Sequence, residues 1–87
     1  MTERLVLARD AVVRLGARRV WVFGSLATGS MTETSDVDMA VQGLAPERYF
    51  EALAELMTVF GAPVDLVRIE EASESLRERI LAEGREP

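Results

Sequence analysis

Apolar residues recur at helical spacing over the first fifteen positions. Leu5, Ala8, Val12 and Leu15 share one side, while Arg4, Arg9, Asp10 and Arg14 take the other. This predicts an amphipathic helix over about Glu3–Leu15, with Gly16 as a stop signal just beyond it. Arg19–Phe23 (RVWVF) is a short apolar run of β-branched and aromatic residues and reads as a buried strand, with Trp21 and Phe23 as core residues. Asp36–Val41 begins with polar and apolar residues in alternation, the pattern of a strand with one wet edge. Residues 42–45 turn the chain, and Pro46 opens a helix from a first-turn position.

Tyr49, Leu53, Leu56, Met57 and Phe60 form the apolar stripe of that second helix, which ends at Gly61. Val64–Ile69 predicts a third strand. A last helix is expected from about Ser75 to Ala82, with Ser75 and Glu78 spaced as a capping box and residues 83–87 left as a frayed tail. The acidic run of Glu70, Glu71, Glu74 and Glu78 reads as a solvated face. No repeat, linker or low-complexity segment interrupts the chain, so residues 1–87 are expected to form a single domain. The fold class is α/β (α+β): a small two-layer unit of three or more strands covered by helices.

Composition narrows the chemistry. The chain has no cysteine and no histidine, which removes disulfides, thiolate and imidazole ligands and both kinds of nucleophile or base. Any reaction must use carboxylates, hydroxyls, arginines and backbone amides. A bound metal would be a hard cation with oxygen ligands, Mg²⁺ or Mn²⁺. The net charge of −5 argues against direct nucleic-acid binding. All ten basic residues are arginine, a bias from which no function follows. The N-terminus has no signal-peptide pattern and no stretch nears the ~20 apolar residues of a membrane span, so the expected location is cytoplasmic.

The informative stretch is Gly24-Ser25-Leu-Ala-Thr-Gly29-Ser30-Met-Thr-Glu-Thr-Ser35-Asp36-Val-Asp38, followed later by Asp65. Two apart in a strand, Asp36 and Asp38 would point to one face, about 6–7 Å apart at Cα. Asp65 is second in the next strand. If the two strands pair, three carboxylates converge, a cluster that like-charge repulsion makes unstable without cations. Two divalent ions could then clamp the oxygens of an in-line phosphoryl displacement. Gly24 permits close backbone approach after the first strand, and the amides there, with the Ser25 hydroxyl, could take phosphate oxygens. Gly29 would turn the chain back toward the second strand.

The pattern Gly-Ser-x₃-Gly-x₅-Ser-Asp-x-Asp resembles that of the DNA polymerase β-type nucleotidyltransferase superfamily. With the short length, it points to the minimal nucleotidyltransferase branch, antitoxin partners of HEPN-domain toxins. The resemblance spans nearly the whole chain, and six fixed residues at set spacing should arise by chance well below about once in ten thousand. It implies a mixed sheet in the nucleotidyltransferase fold. It further implies that Gly24, Ser25, Gly29 and Ser35 form the nucleotide-binding segment, with Gly24 and Ser25 at the β- and γ-phosphates. Asp36 and Asp38 would hold Mg²⁺. Asp65 would hold a second metal ion and help deprotonate an attacking hydroxyl. The implied reaction is transfer of AMP from ATP to a tyrosine hydroxyl of the HEPN partner, with homo- or hetero-oligomers as the assembled form.

Relatives often carry arginines between the two glycines, where this chain has Leu26, Ala27 and Thr28. Charge for the triphosphate must then come from Mg²⁺, from an arginine such as Arg68, or from a partner. The main alternative is a non-catalytic antitoxin of the same fold that neutralises its partner by contact. A transferase acting on RNA or a small molecule is a third reading, disfavoured by the short chain and its acidity.

Overall fold

The computed structural model describes residues 2–23 and 37–87. Helix α1 (Thr2–Arg14) leads into β1 (Arg19–Phe23). Strand β2 (Val37–Gln42) is followed by a 3₁₀ turn (Pro46–Arg48) and helix α2 (Tyr49–Phe60). Then come β3 (Val64–Arg68), a 3₁₀ turn (Ile69–Glu71) and helix α3 (Glu74–Glu83). The strands form one mixed sheet in the order β1-β2-β3, antiparallel between β1 and β2 and parallel between β2 and β3. This is the expected α+β arrangement of a small mixed sheet covered by helices.

Period-2 alternation sorts the strand residues onto two faces. Val20, Val22, Val37, Met39, Val41, Val64 and Leu66 face α1 and α2, where Ala8, Val12, Leu56 and Phe60 complete the main core. Trp21, Phe23 and Ala40 point the other way and pack with Ile69 and with Ile80 of α3. Trp21 and Phe23 are thus core residues, 3% and 5% exposed. The expected stripe on α2 needs one correction. Leu56 and Phe60 are buried with Ala52, and Tyr49 and Leu53 half-buried, but Met57 is exposed. Pro46 opens the 3₁₀ turn rather than the α-helix itself.

The helix α3 cap also differs from expectation. Ser73, not Ser75, is the N-cap, its hydroxyl accepting from the Leu76 amide at 3.2 Å. Both serines suit a cap. The turn at Ile69–Glu71 decides which one stands at the point where the backbone becomes helical. The acidic run is exposed as expected, although two of its members are engaged. The Glu70 carboxylate accepts from the Gly43 amide at 2.6 Å, and Glu71 pairs with Arg68. Partial burial opposes ionisation of Glu70, but the Gly43 amide and the Arg68 and Arg77 charges outweigh it and hold its carboxyl below the ordinary value. Gly43 itself sits at φ +85°, and a Cβ there would meet the Arg18 side chain at 2.9 Å. Only glycine makes this turn without strain.

The C-terminal segment is pinned rather than frayed. Arg85 and Val22 exchange two backbone hydrogen bonds of 2.8 Å, adding an antiparallel bridge to the outer edge of β1. Gly84 lets the chain lie against Trp21, because a Cβ there would collide with the Ile80 carbonyl oxygen. Arg19 holds Glu86 through two bonds of 3.1 and 2.8 Å, stacks over Trp21 at 4.8 Å, and Arg9 donates to the Pro87 carbonyl at 3.0 Å. Charge pairing escaped the sequence reading because Arg19 and Glu86 are 67 residues apart.

The Arg19 hydrogen bond lowers the Glu86 carboxyl, and Arg19 is raised in return. A depressed carboxyl contributes stability above its unfolded value, and that contribution is lost as pH falls through the folded value. Amide-exchange protection at Arg85 and Val22 should therefore drop as pH is lowered below the usual carboxylate range. Glu86→Gln should show the low-protection state already at neutral pH. Unchanged protection in that variant would show that the backbone bridge alone secures the segment.

Candidate active site

The sheet brings Asp38 and Asp65 side by side. Asp38 is the Cα partner of Asp65 across the parallel β2–β3 pair, and of Phe23 across the antiparallel β1–β2 pair. Directly paired residues point to the same face, with strands about 4.8 Å apart. One row across the sheet therefore reads Phe23, Asp38, Asp65, and the next row on that face reads Trp21, Ala40, Val67. The second row is covered by Leu76 and Ile80 of α3, with Val67 packed against them. The acidic row lies one step further, at the end of the sheet. There Phe23 is buried, Asp38 half-buried and Asp65 exposed.

This geometry has a local cause. Val37 and Met39 of β2 and Val64 and Leu66 of β3 face α1 and α2, so strand alternation turns Asp38 and Asp65 to the opposite face. Two adjacent carboxylates at an open strand end repel, and solvent at Asp65 dilutes that repulsion without cancelling it. The pair supplies oxygen donors only, which suits a hard divalent cation. Among the described residues no group of three such ligands forms. Asp38 also engages a further polar or charged group.

The other expected site residues, Gly24, Ser25, Gly29, Ser35 and Asp36, lie outside the described residues, as does the segment Leu26–Thr34. The chain leaves β1 at Phe23, beside Asp38, and re-enters the sheet at Val37. Arg68, considered above as a cation for the triphosphate, is otherwise engaged. Its Nε donates to the Leu44 carbonyl at 2.8 Å and its Nη1 pairs with Glu71. Strand alternation also turns it to the face opposite Asp65. Tyr49 belongs to the expected stripe of α2, whereas its neighbour Phe50 carried no clear sequence signal. Tyr49 donates its hydroxyl to the Leu66 carbonyl, and Phe50 stands 77% exposed beside it. Phe50 and Met57, seven apart, do share a helix face, and that spacing was the available clue.

A family model described as polymerase beta, nucleotidyltransferase matches residues 14–86. The chain belongs to the polymerase β nucleotidyltransferase family. This nucleotidyltransferase is similar to a solved structure described as a minimal nucleotidyltransferase: 31% identity, TM-score 0.87, covering 97% of this chain and 89% of the other. Its fold also matches a toxin–antitoxin complex with AMP-PNP, at 24% identity and TM-score 0.74, covering 88% of this chain and 69% of that one. A third match is the complex of a tri-AMPylated Shewanella oneidensis HEPN toxin with an MNT antitoxin. It shows 22% identity and TM-score 0.65, over 94% of this chain and 70% of that one. The last two likenesses concern the fold alone. No curated protein sequence matches the nucleotidyltransferase. No helix among its described residues is long and apolar enough to cross a membrane.

Proposed function

We propose that this nucleotidyltransferase transfers AMP from ATP, with Mg²⁺, to a tyrosine hydroxyl of a HEPN-type toxin and so acts as its antitoxin in the cytoplasm. The observation that carries the reading is the register of Asp38 beside Asp65, one strand over from the point where β1 runs toward Gly24 and Ser25. Gly24 and Ser25 would take the β- and γ-phosphates, with Gly29 turning the segment and Ser35 preceding the first carboxylate. Asp36, Asp38 and Asp65 would hold Mg²⁺, or Mn²⁺ with the same ligand preference. Bound there, the ions would neutralise charge on the triphosphate and the departing pyrophosphate.

The chain's own residues carry the rest. The acceptor oxygen bonds to the α-phosphorus, the α–β bridging P–O bond breaks, and pyrophosphate leaves with the electron pair. The exposed Asp65 carboxylate takes the hydroxyl proton, and its exposure gives a bulky acceptor access. Ordering of substrate and acceptor in line supplies much of the remaining acceleration.

One observation favours a second reading, a non-catalytic antitoxin that silences by contact. Arg68 is occupied by Leu44 and Glu71, and the loop Leu26–Thr28 contains no arginine. Calorimetric titration with a non-hydrolysable ATP analogue separates the two. Mg²⁺-dependent binding that disappears in Asp36→Asn with Asp38→Asn is expected for the transferase. Absence of binding with and without Mg²⁺, alongside intact toxin neutralisation by the double variant, would establish the contact-only reading.

A further inference from the structure

We infer that Tyr49 is a positioning residue for the reaction: its hydroxyl holds the free edge of β3 and so keeps Asp65 in line with Asp38. The inference rests on the transferase reading, in which Asp65 is the base and a metal ligand. Tyr49 opens α2, is half-buried, and donates its hydroxyl to the carbonyl of Leu66, the residue after Asp65. Its action runs through the backbone of β3.

The hydrogen-bond ladder shows why that carbonyl needs a partner. Val37 donates its amide to the Pro63 carbonyl at 3.1 Å and is the Cα partner of Val64. In a parallel pair, successive residues of one strand turn their backbone groups alternately toward the neighbouring strand and away from it. Residues 63, 65 and 67 therefore bond to β2, and the Leu66 carbonyl points to the outer edge. Among the described residues no strand lies there. Leu66 is 5% exposed, so little water can replace a missing donor, and an unpaired buried acceptor is costly. The Tyr49 phenol stands where the N–H of a fourth strand would be.

Asp65 has more need of such a hold than Asp38. Asp38 lies in the middle strand and is paired on both sides, by β1 and by β3. Asp65 is the second residue of a five-residue strand paired on one side only, and it is exposed. Packing of its carboxylate therefore does little to set its direction, and the backbone of β3 sets it instead. Strand ends and edges are where a fold opens first. Loss of the hydroxyl leaves Val64 and Leu66 in the core and frees the segment carrying Asp65 to open from β2. A base displaced by about 1 Å can cost 100-fold in rate.

The test compares Tyr49→Phe with Thr58→Val in the full chain. Phenylalanine keeps the ring in place, and Thr58→Val removes a hydroxyl-to-carbonyl bond that α2 makes within itself, to Ala54. In Tyr49→Phe the Asp65 and Val67 amides should exchange with solvent at least about tenfold faster, while the amides of β1 keep their protection and show the fold intact. Manganese paramagnetic resonance then counts Mn²⁺ bound with a non-hydrolysable ATP analogue. The unaltered chain and Thr58→Val should hold two ions. Tyr49→Phe should keep the first and weaken the second at least about tenfold, as loss of a group that orients a metal ligand does. A tyrosine that only fills space would lower the melting temperature and leave the second ion in place. Unchanged exchange at Asp65 and Val67, an unchanged second ion, or equal losses in Thr58→Val would overturn the proposal. Failure of the unaltered chain to bind Mn²⁺ and the analogue sinks the transferase reading and this role with it. Equal binding by the unaltered chain and Tyr49→Phe sinks the role alone.

Discussion

Replacing Asp38 and Asp65 together by asparagine should reduce AMP transfer at least about 100-fold, because even groups that merely orient metal ligands cost 10–100-fold when lost. The variant should fold normally. Asp65 is exposed, Asp38 is half-buried, and removing both adjacent like charges relieves repulsion that the unliganded protein must bear. The discriminating result is thermal. With Mg²⁺ and a non-hydrolysable ATP analogue at 100-fold its Kd, binding adds about 2.7 kcal/mol of stability. In a domain of this size that corresponds to a Tm gain of about 10–20 °C. The wild-type chain should show it and the double variant should not. A ligand-induced Tm gain retained by the double variant would remove these carboxylates from the site.

Leu56→Ala should be the most damaging single change to the fold. Leu56 is fully buried between α2 and the sheet, and truncation there leaves a cavity worth about 2–5 kcal/mol. Total stability for such a domain is about 5–15 kcal/mol, so a third or more can be lost at one position. The Tm should fall by roughly 8–40 °C, at about 4–8 °C per kcal/mol. Its neighbour supplies the control. Met57 is 44% exposed, and Met57→Ala should change stability by no more than about 0.5 kcal/mol. Denaturation curves of the two variants side by side check both values, and equal losses would contradict the assigned burial.

Leu56 and Met57 also show how far a hydrophobic pattern can be read. Both fall within a stripe of helical spacing, and the pattern locates the helix without saying how wide its buried face is. Packing of α1 against α2 narrows that face to Ala52, Leu56 and Phe60 and leaves Met57 outside. The same holds for Phe50: its spacing puts it on the face of Met57, and only the packing shows that face to be exposed. Ser73 and Ser75 illustrate the limit for caps: each carries a suitable hydroxyl, and the preceding turn chooses between them.

By itself the sequence determined the strand at Arg19–Phe23, a strand over Val64–Ile69 that the structure ends one residue earlier at Arg68, the helices that cover the sheet, and the spacing of Gly24, Ser25, Asp36 and Asp38 that carries the family resemblance. These are local properties, because periodicity, turn residues and motif spacing are written in consecutive residues. Only the tertiary structure decided that Asp38 and Asp65 share one register, that Arg68 is committed to Leu44 and Glu71, and that the C-terminal segment joins β1 through Arg85. Apart from the Arg68–Glu71 pair, which is three residues apart, each of these brings together chain segments 24 to 63 residues apart in one alignment. That alignment is set by the burial of whole faces against α1, α2 and α3, and a one-residue slip of β3 would send Asp65 into the core.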